Sequence, residues 1–309
     1  MNTVVEVENI TKTYNTTCAV DNINLSVIKG EIFGLVGPDG SGKTTLIRMI
    51  ASLIKQNSGK IKVLGFDNVK DYKSIRKVIG YMPGKFSLYQ DLTVEENLTL
   101  FATIYDSDIR TNYHLIEDIY SHLEPFKDRQ AGKLSGGMKQ KLALSCSLIH
   151  KPELLLLDEP TTGVDPVSRR DLWKMLKKLI NFGITTIVST PYMDEAALCD
   201  RIALFQNGRI LESNSPNEII GKYENLLYKV KSYNNYLTLQ ALRRFSNDSL
   251  VYPFGESLHL VLEKNDSGID LIQEYIKKQN IGLVSFELIQ PTIEDAFILL
   301  MQTKNSEIL

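Results

Sequence analysis

The residues from 37 to 45 combine glycines, a lysine and hydroxyl groups at a spacing that suits phosphate binding. Residues 37 to 44 satisfy the pattern G-x-x-x-x-G-K-[ST] between an apolar run and an amphipathic segment. Glycines let backbone N–H groups wrap a phosphate at the positive end of a helix. Lys43 would neutralise the β- and γ-phosphates, and the Thr44 hydroxyl would bind Mg²⁺. An ordinary glycine-rich turn is the alternative. The residues expected to contact a nucleotide are Gly37, Pro38, Asp39, Gly40, Ser41, Gly42, Lys43, Thr44 and Thr45.

Two acidic residues follow a run of four leucines, about 115 residues after Lys43. Such a run is typical of a strand that is buried on both faces of a parallel sheet, and ligands bind at the carboxyl ends of those strands. We expect Asp158 to hold Mg²⁺. Glu159 would be the general base that polarises the water attacking the γ-phosphate. A solvated turn is the alternative, and the glycine-rich segment upstream favours the catalytic interpretation.

A third segment, residues 134 to 140, reads LSGGMKQ and places bare backbone amides ahead of a helix. With it, residues 3 to 222 resemble an ABC ATPase. The resemblance implies that Ser135, Gly136 and Gly137 bind in trans the γ-phosphate held by another subunit, so that the site exists only in a dimer. The amides of this segment would form a second anion site besides the glycine-rich loop, and one triphosphate cannot fill both sites of the same chain. A helix cap without a ligand is the alternative.

The same resemblance assigns roles to two further positions. Tyr14 matches the aromatic residue that stacks on adenine in this family, although a tyrosine near a strand also serves as packing. Asp165, after Val164, lies where the family has the loop that touches the opposite protomer. The implied ligands are ATP and Mg²⁺.

Two positions depart from the family pattern. Gly84 stands where most relatives have a glutamine that senses Mg²⁺ and the attacking water, and Pro191 stands where they have a histidine that binds the γ-phosphate. Loss of one preorganised donor costs on the order of 2.7 to 4 kcal/mol. We therefore expect a site that binds Mg-ATP but hydrolyses it slowly. If the partner is a different chain, the two ATP sites of the dimer would differ in rate. The presence of Glu159 argues against a slow site, because a subunit that does not catalyse hydrolysis has no need of a general base. The alternative is a homodimer with a modified mechanism.

The elements that position these residues follow from periodicity. Apolar and polar residues alternate over residues 5–8 and 22–27, which predicts antiparallel strands. The pattern of residues 86 to 150 is mostly helical. Thr93 and Glu96 form a predicted capping box, Asp165 and Pro166 begin a helix, and Asn207-Gly208 predicts a hairpin. The predicted fold is an α/β P-loop NTPase with a mixed sheet, an antiparallel N-terminal subdomain and a helical insertion.

A smaller domain follows the nucleotide-binding domain. Residues 1 to 222 form the predicted nucleotide-binding domain and residues 223 to 309 an accessory α+β domain. Strands near 226–231, 249–252, 258–262 and 283–289 alternate with helices near 237–245 and 269–278, the order of a ferredoxin-like module. A short exit helix at 216–222 and a last helix at 293–302 complete the prediction.

Composition excludes several other classes. A formal net charge of −2 does not favour a nucleic-acid partner. No apolar run approaches the roughly 20 residues that span a bilayer, and the first eight residues do not resemble an export signal. Three isolated cysteines and four scattered histidines support neither a disulfide framework nor a zinc site. We expect a cytoplasmic protein, peripheral on the inner face of the cell membrane.

The functional expectation is an ATP-hydrolysing motor subunit. The tail QPTIEDAF resembles the C-terminal module of ATPases that serve ABC-2 type exporters, including drug-efflux systems. The resemblance implies a second ABC ATPase subunit and integral membrane permease subunits as partners, with Phe86, Leu88 and Tyr89 near the permease groove or in the core. The alternatives are a regulatory ABC subunit that never hydrolyses ATP, and a soluble ABC protein acting on the ribosome or on DNA.

Overall fold

The computed structural model describes residues 2–245, 250–264, 268–279 and 281–306. The chain folds into two compact units, one of which is Asn217–Leu299 and the other the remainder. Among the described residues, no helix has both the length and the apolar character that a membrane crossing requires.

The first unit opens with strands and a helix around the glycine-rich segment. The elements of its first half are β1 (Thr3–Tyr14), β2 (Thr17–Ile28), β3 (Ile32–Val36), α1 (Lys43–Ile50), β4 (Ser58–Val63), β5 (Phe66–Asp67), α2 (Tyr72–Val78) and β6 (Ile79–Met82). An antiparallel sheet has the order β2-β1-β4-β5. Val5 and Val7 are buried on one face of it, as the alternating pattern predicts.

The second half of the unit contains the helical insertion and the remaining strands. Its elements are α3 (Val94–Ile104), α4 (Ile109–Tyr120), α5 (Gly136–Leu148), β7 (Leu154–Asp158), α6 (Pro166–Asn181), β8 (Thr185–Thr190), α7 (Met193–Ala196), β9 (Arg201–Gln206), β10 (Arg209–Asn214) and, at the boundary, α8 (Pro216–Gly221). A six-stranded sheet has the order β10-β9-β3-β8-β7-β6, in which only β10 is antiparallel to its neighbour. The predicted mixed sheet and helical insertion are confirmed.

Local sequence signals account for several of these boundaries. The Thr93 side chain accepts from the Glu96 amide and the Glu96 side chain accepts from the Thr93 amide, so α3 begins with a capping box. Asp165 caps α6 and Pro166 is its first residue. Asn207 and Gly208 have φ angles of 49° and 78°, the left-handed pair that a tight β9–β10 hairpin requires.

The second unit is an α+β module. Its elements are β11 (Leu226–Ser232), α9 (Asn235–Phe245), β12 (Leu250–Phe254), β13 (Ser257–Leu262), α10 (Ile269–Lys278), β14 (Val284–Ile289) and α11 (Ile293–Ser306), which extends beyond it. The antiparallel sheet has the order β12-β13-β11-β14. Since β13 lies between the two strands of the β11-α9-β12 unit, the module is a split β-α-β, and the ferredoxin-like prediction is confirmed. Residue 249, the first of one predicted strand, lies outside the described residues.

Candidate nucleotide-binding site

Two glycines of the loop between β3 and α1 lie where no side chain fits. A Cβ added to Gly37 would lie 2.2 Å from the Phe205 carbonyl oxygen, and one on Gly42 would lie 2.4 Å from the Ala19 carbonyl oxygen. Gly42 also has a φ of 109°, a value that favours glycine. The bare backbone therefore turns sharply into the N-terminus of α1, where a phosphate can approach the amides.

Lys43 is held inside this loop. Its Nζ donates to the carbonyl oxygens of Gly37 at 2.8 Å and Pro38 at 2.9 Å, and it lies 3.8 Å from Glu159 Oε1. Burial lowers the pKa of Lys43, and the negative charges of Glu159, Asp39 and Asp158 oppose this shift. The loop carbonyls thus position the ammonium group at the base of the candidate phosphate site.

Oxygen ligands for a cation meet at the start of α1. Asp158 Oδ1 accepts a hydrogen bond from Thr44 Oγ1 at 2.9 Å and one from Ser189 Oγ at 2.8 Å, and Asp158 is buried at the end of β7. A hydroxyl and a carboxylate suit Mg²⁺, which binds proteins through one or two oxygen ligands plus substrate phosphates. Thr44 and Asp158 therefore fit the metal-binding roles expected of them.

Glu159 leaves the strand in an uncommon backbone conformation. Its φ is 51°, and its amide donates to Ser189 Oγ at 2.9 Å and to the Ser189 carbonyl at 3.2 Å. The side chain is about three-quarters buried and its Oε2 accepts from Thr162 Oγ1 at 3.4 Å. The carboxylate is thereby directed to the P-loop, next to Lys43.

The two positions that depart from the family adjoin this cluster. A Cβ on Gly84 would lie 3.0 Å from the Asp158 carbonyl oxygen and 3.8 Å from Glu159 Cβ. Pro191 directly follows Thr190, whose carbonyl accepts the Gly37 amide at 3.2 Å. A glutamine or a histidine at these positions would therefore start beside the acid pair and the P-loop.

Other residues of the predicted set surround the loop. Tyr14 ends β1 with 45% of its surface exposed and Lys12 Nζ 5.1 Å from its ring centroid, so it is not a core residue. Pro38, Asp39 and Gly40 are exposed. The two hydroxyl residues differ, since Ser41 is buried and Thr45 is half-buried.

The Ser135 turn forms a separate group. Ser135 and Gly136 are exposed, and Ser135 Oγ accepts from the Met138 amide at 3.4 Å at the start of α5. A Cβ on Gly137 would lie 3.5 Å from Ser168 Oγ, near the start of α6. Within the described part of the chain, no hydrogen bond links this turn to Lys43 or to the acid pair. One chain therefore presents two candidate anion-binding surfaces that it does not itself combine.

Sequence reasoning missed Ser189 and Glu195. Ser189 lies opposite Asp158 in the parallel register of β7 and β8, so that register could have revealed it. The buried Glu195 carboxylate accepts from Thr190 Oγ1 at 2.5 Å and from Thr161 Oγ1 at 3.1 Å. It connects the loop after β7 to the end of β8, and no local pattern indicates it.

Relatives with known names share both sequence and fold with the chain. It is 40% identical over 288 residues to the probable multidrug ABC transporter ATP-binding protein YbhF of Escherichia coli, covering 91% of this chain but 48%, about half, of that protein. It is 31% identical over 303 residues to the linearmycin resistance ATP-binding protein LnrL of Bacillus subtilis, covering 96% and 97% of the two chains.

Solved structures and a family model agree. A dimeric ATP-binding cassette, MJ0796, in a post-hydrolysis state with ADP and Pi superposes with a TM-score of 0.63 at 28% identity, covering 68% of this chain and 98% of the other. The ABC transporter family model matches residues 20–162. Together with the near-complete alignment to the Bacillus relative, these findings place the chain in the family of ABC transporter ATP-binding proteins.

Proposed function

We propose that the chain is the ATP-binding and ATP-hydrolysing motor subunit of an ABC-2 type export complex. One observation carries this proposal: Lys43, Thr44, Asp158 and Glu159 meet at one P-loop, whereas the Ser135 turn is exposed elsewhere on the same unit. A site divided in this way is completed by a second subunit. Two chains would close around two ATP molecules and open after hydrolysis.

The roles follow from the contacts at the P-loop and, for Tyr14, from the family resemblance. The P-loop amides and Lys43 would bind the β- and γ-phosphates, and Tyr14 would stack on adenine. Thr44 and Asp158 would hold Mg²⁺, which neutralises phosphate charge when it is bound with ATP. Glu159 would orient and deprotonate the attacking water. Residues 1–222 would act as the nucleotide-binding domain and residues 223–309 as an accessory domain.

We further propose that this site turns over slowly. Position 84 supplies no side chain beside the acid pair, and position 191 supplies neither a side-chain donor nor an N–H. Each missing donor is worth on the order of 10² to 10³ in rate. Against a typical kcat of about 10 per second, a slow site means about 0.1 per second or less.

The test is hydrolysis of Mg-ATP by the purified chain and by its Glu159→Gln variant. We expect weak turnover that the substitution lowers further, with ATP binding retained in both proteins. Robust turnover that Glu159→Gln abolishes would contradict the slow site while leaving the motor function intact. Turnover that the substitution leaves unchanged would remove Glu159 from the mechanism.

Export through separate membrane permease subunits is the second part of the proposal. Relatives named for multidrug transport, linearmycin resistance and Nod factor export support it. Leu88 is buried and belongs to the core, whereas Tyr89 is 56% exposed and Phe86 is half-buried under Lys139. Tyr89 is therefore the residue we assign to the permease contact, at the inner face of the membrane.

Recovery of partners tests this assignment. A tagged chain isolated in mild detergent should retain permease subunits, and Tyr89→Ala should reduce their recovery. The exposed Tyr233 provides a matched control, because Tyr233→Ala leaves the helical subdomain unchanged. Recovery of ribosomes or DNA in place of permease would contradict the export function.

A further inference from the structure

Strand β14 forms an unprotected edge of the sheet in the second unit. The strand order places β12 and β14 at the two ends, and among the residues that the structure describes β14 pairs only with β11. Leu288 is 59% exposed on this strand, and Leu283, just before it, is 76% exposed. An edge strand presents unpaired N–H and C=O groups, and apolar side chains beside them favour pairing with another strand.

The opposite edge is protected in two ways. Strand β12 contains Pro253, which has no N–H to donate to a further strand. Arg243 Nη2 donates to the Val251 carbonyl oxygen of β12 at 3.4 Å. Strand β14 contains no proline and no basic residue, and Glu287 is its only charge. The two edges therefore differ in the features that natural sheets use to prevent strand addition.

The sequence around β14 has the same order of polarity in both directions. Residues 283 to 289 read LVSFELI, so apolar, apolar, polar, apolar, polar, apolar, apolar residues are symmetric about Phe286. When two identical strands pair antiparallel, the residue numbers of each opposite pair add up to the same total. With Phe286 opposite its own copy, each apolar residue meets an apolar residue and each polar residue meets a polar one.

We propose that β14 pairs antiparallel with β14 of a second copy of this chain, about a two-fold axis at Phe286. Leu288 then lies opposite Val284 of the other copy, Leu283 opposite Ile289, and Ser285 opposite Glu287. A two-fold axis at Glu287 would place two carboxylates opposite each other, which is unfavourable. An axis at Ser285 would place Leu283 opposite Glu287. Charge and polarity thus select one register.

The pairing joins two four-stranded sheets into one and is isologous, as a two-fold interface requires. Six residues of strand bury less than the roughly 800 Å² per partner of a standard interface, so the contact alone is weak. This inference goes beyond the proposed function, because the pairing needs no ATP.

Sedimentation of the full chain without nucleotide tests the surface. We expect a concentration-dependent dimer that Leu288→Lys weakens at least tenfold. The matched control is Leu237→Lys on α9, an exposed leucine of the same unit on a helix that packs on β11, β12 and β13. A chain that stays monomeric, or a dimer that Leu288→Lys leaves unchanged, would overturn the proposal.

Disulfide cross-linking tests the register. Cys18 is exposed and is first replaced by serine, whereas Cys146 and Cys199 are buried. Directly opposite residues have Cβ atoms about 4.5 to 5.5 Å apart, and diagonal neighbours are about 7 to 8 Å apart. A mixture of Ser285→Cys and Glu287→Cys chains should therefore cross-link, and neither variant should do so alone. Cross-linking by a single variant, or none in the mixture, would overturn the register.

A further comparison separates this inference from the proposed function. The Glu159→Gln chain carrying Leu288→Lys should still form a dimer when Mg-ATP is added. Failure of this Mg-ATP-dependent dimer would contradict closure of two copies of this chain around ATP and not the edge pairing. A monomeric chain whose Leu288→Lys variant loses permease would overturn the pairing and assign β14 to the permease.

Discussion

Ser189 shows how one hydroxyl organises the two acidic residues at the end of β7. Its Oγ donates to Asp158 Oδ1 and accepts the Glu159 amide, so it fixes both residues at the end of β7. A second buried hydroxyl on β8, Thr186 Oγ1, has no hydrogen-bond partner among the residues that the structure describes. The two hydroxyls therefore form a natural comparison.

Ser189→Ala should destabilise the fold by about 1 to 3 kcal/mol, because the buried Asp158 carboxylate loses a donor. Thr186→Val should change the free energy of unfolding by less than about 0.5 kcal/mol or raise it, since it removes an unpaired polar atom. Denaturant unfolding of both variants measures the difference. Equal effects would show that the hydrogen bonds of Ser189 contribute nothing specific.

Pro191 is the better of the two departures for testing the proposed slow turnover. A side chain at position 84 must displace the Asp158 carbonyl oxygen by a few tenths of an ångström, which complicates Gly84→Gln. Pro191→His should raise kcat for Mg-ATP on the order of 100-fold, because a donor for the γ-phosphate returns. Pro191→Ala, which removes the ring without adding a donor, should have no such effect. A kcat unchanged by Pro191→His would contradict the explanation of slow turnover.

At the scale of elements, one buried carboxylate fixes the start of α11. Asp295 Oδ1 accepts from Tyr252 Oη and His259 Nδ1, both at 2.6 Å. Its Oδ2 accepts from the Thr292 amide at 2.7 Å and from Thr292 Oγ1 at 2.6 Å. Burial raises the pKa of Asp295, but these hydrogen bonds outweigh burial and the net shift is downward. The ionised form is therefore the one that stabilises the module.

Asp295→Asn should lower the free energy of unfolding at pH 7 by about 3 kcal/mol, since hydrogen bonds to a charged acceptor are lost. The contribution of Asp295 is complete above the unfolded-state pKa of about 3.9 and is lost as the pH falls through the lower folded-state value. The difference between wild type and variant should therefore shrink only below about pH 4. Asp270→Asn, at an exposed position of α10, serves as the control. A difference that shrinks above pH 5 would contradict this assignment.

Elements with a strong local signal were predictable. The leucine run of β7, the capping box at Thr93 and the Asn207-Gly208 turn each encode their structure within a few residues. Contacts between distant segments were not predictable in this way. Glu195 accepts hydrogen bonds from Thr161, in the loop after β7, and from Thr190, at the end of β8. The exposure of the β14 edge depends on a strand order that joins residues far apart in sequence.

At the scale of the whole molecule, both proposals make the chain half of an assembly. A second subunit would complete the nucleotide-binding surfaces, and the β14 edge would pair with a second copy of this chain. In a homodimer both sites carry Gly84 and Pro191, so both would be slow. In a heterodimer the Ser135 turn of this chain would complete a faster site on the partner. A second, non-identical ATPase subunit that co-purifies with the chain would identify the heterodimer.

The central claim is that ATP lies between Lys43 of one protomer and Ser135 of the other. The most direct test is the mass of the Glu159→Gln chain by light scattering with and without Mg-ATP, in the Leu288→Lys background that removes edge pairing. We predict a Mg-ATP-dependent dimer that Ser135→Arg abolishes while each monomer still binds Mg-ATP. A Ser135→Arg chain that still dimerises on addition of Mg-ATP would contradict the account.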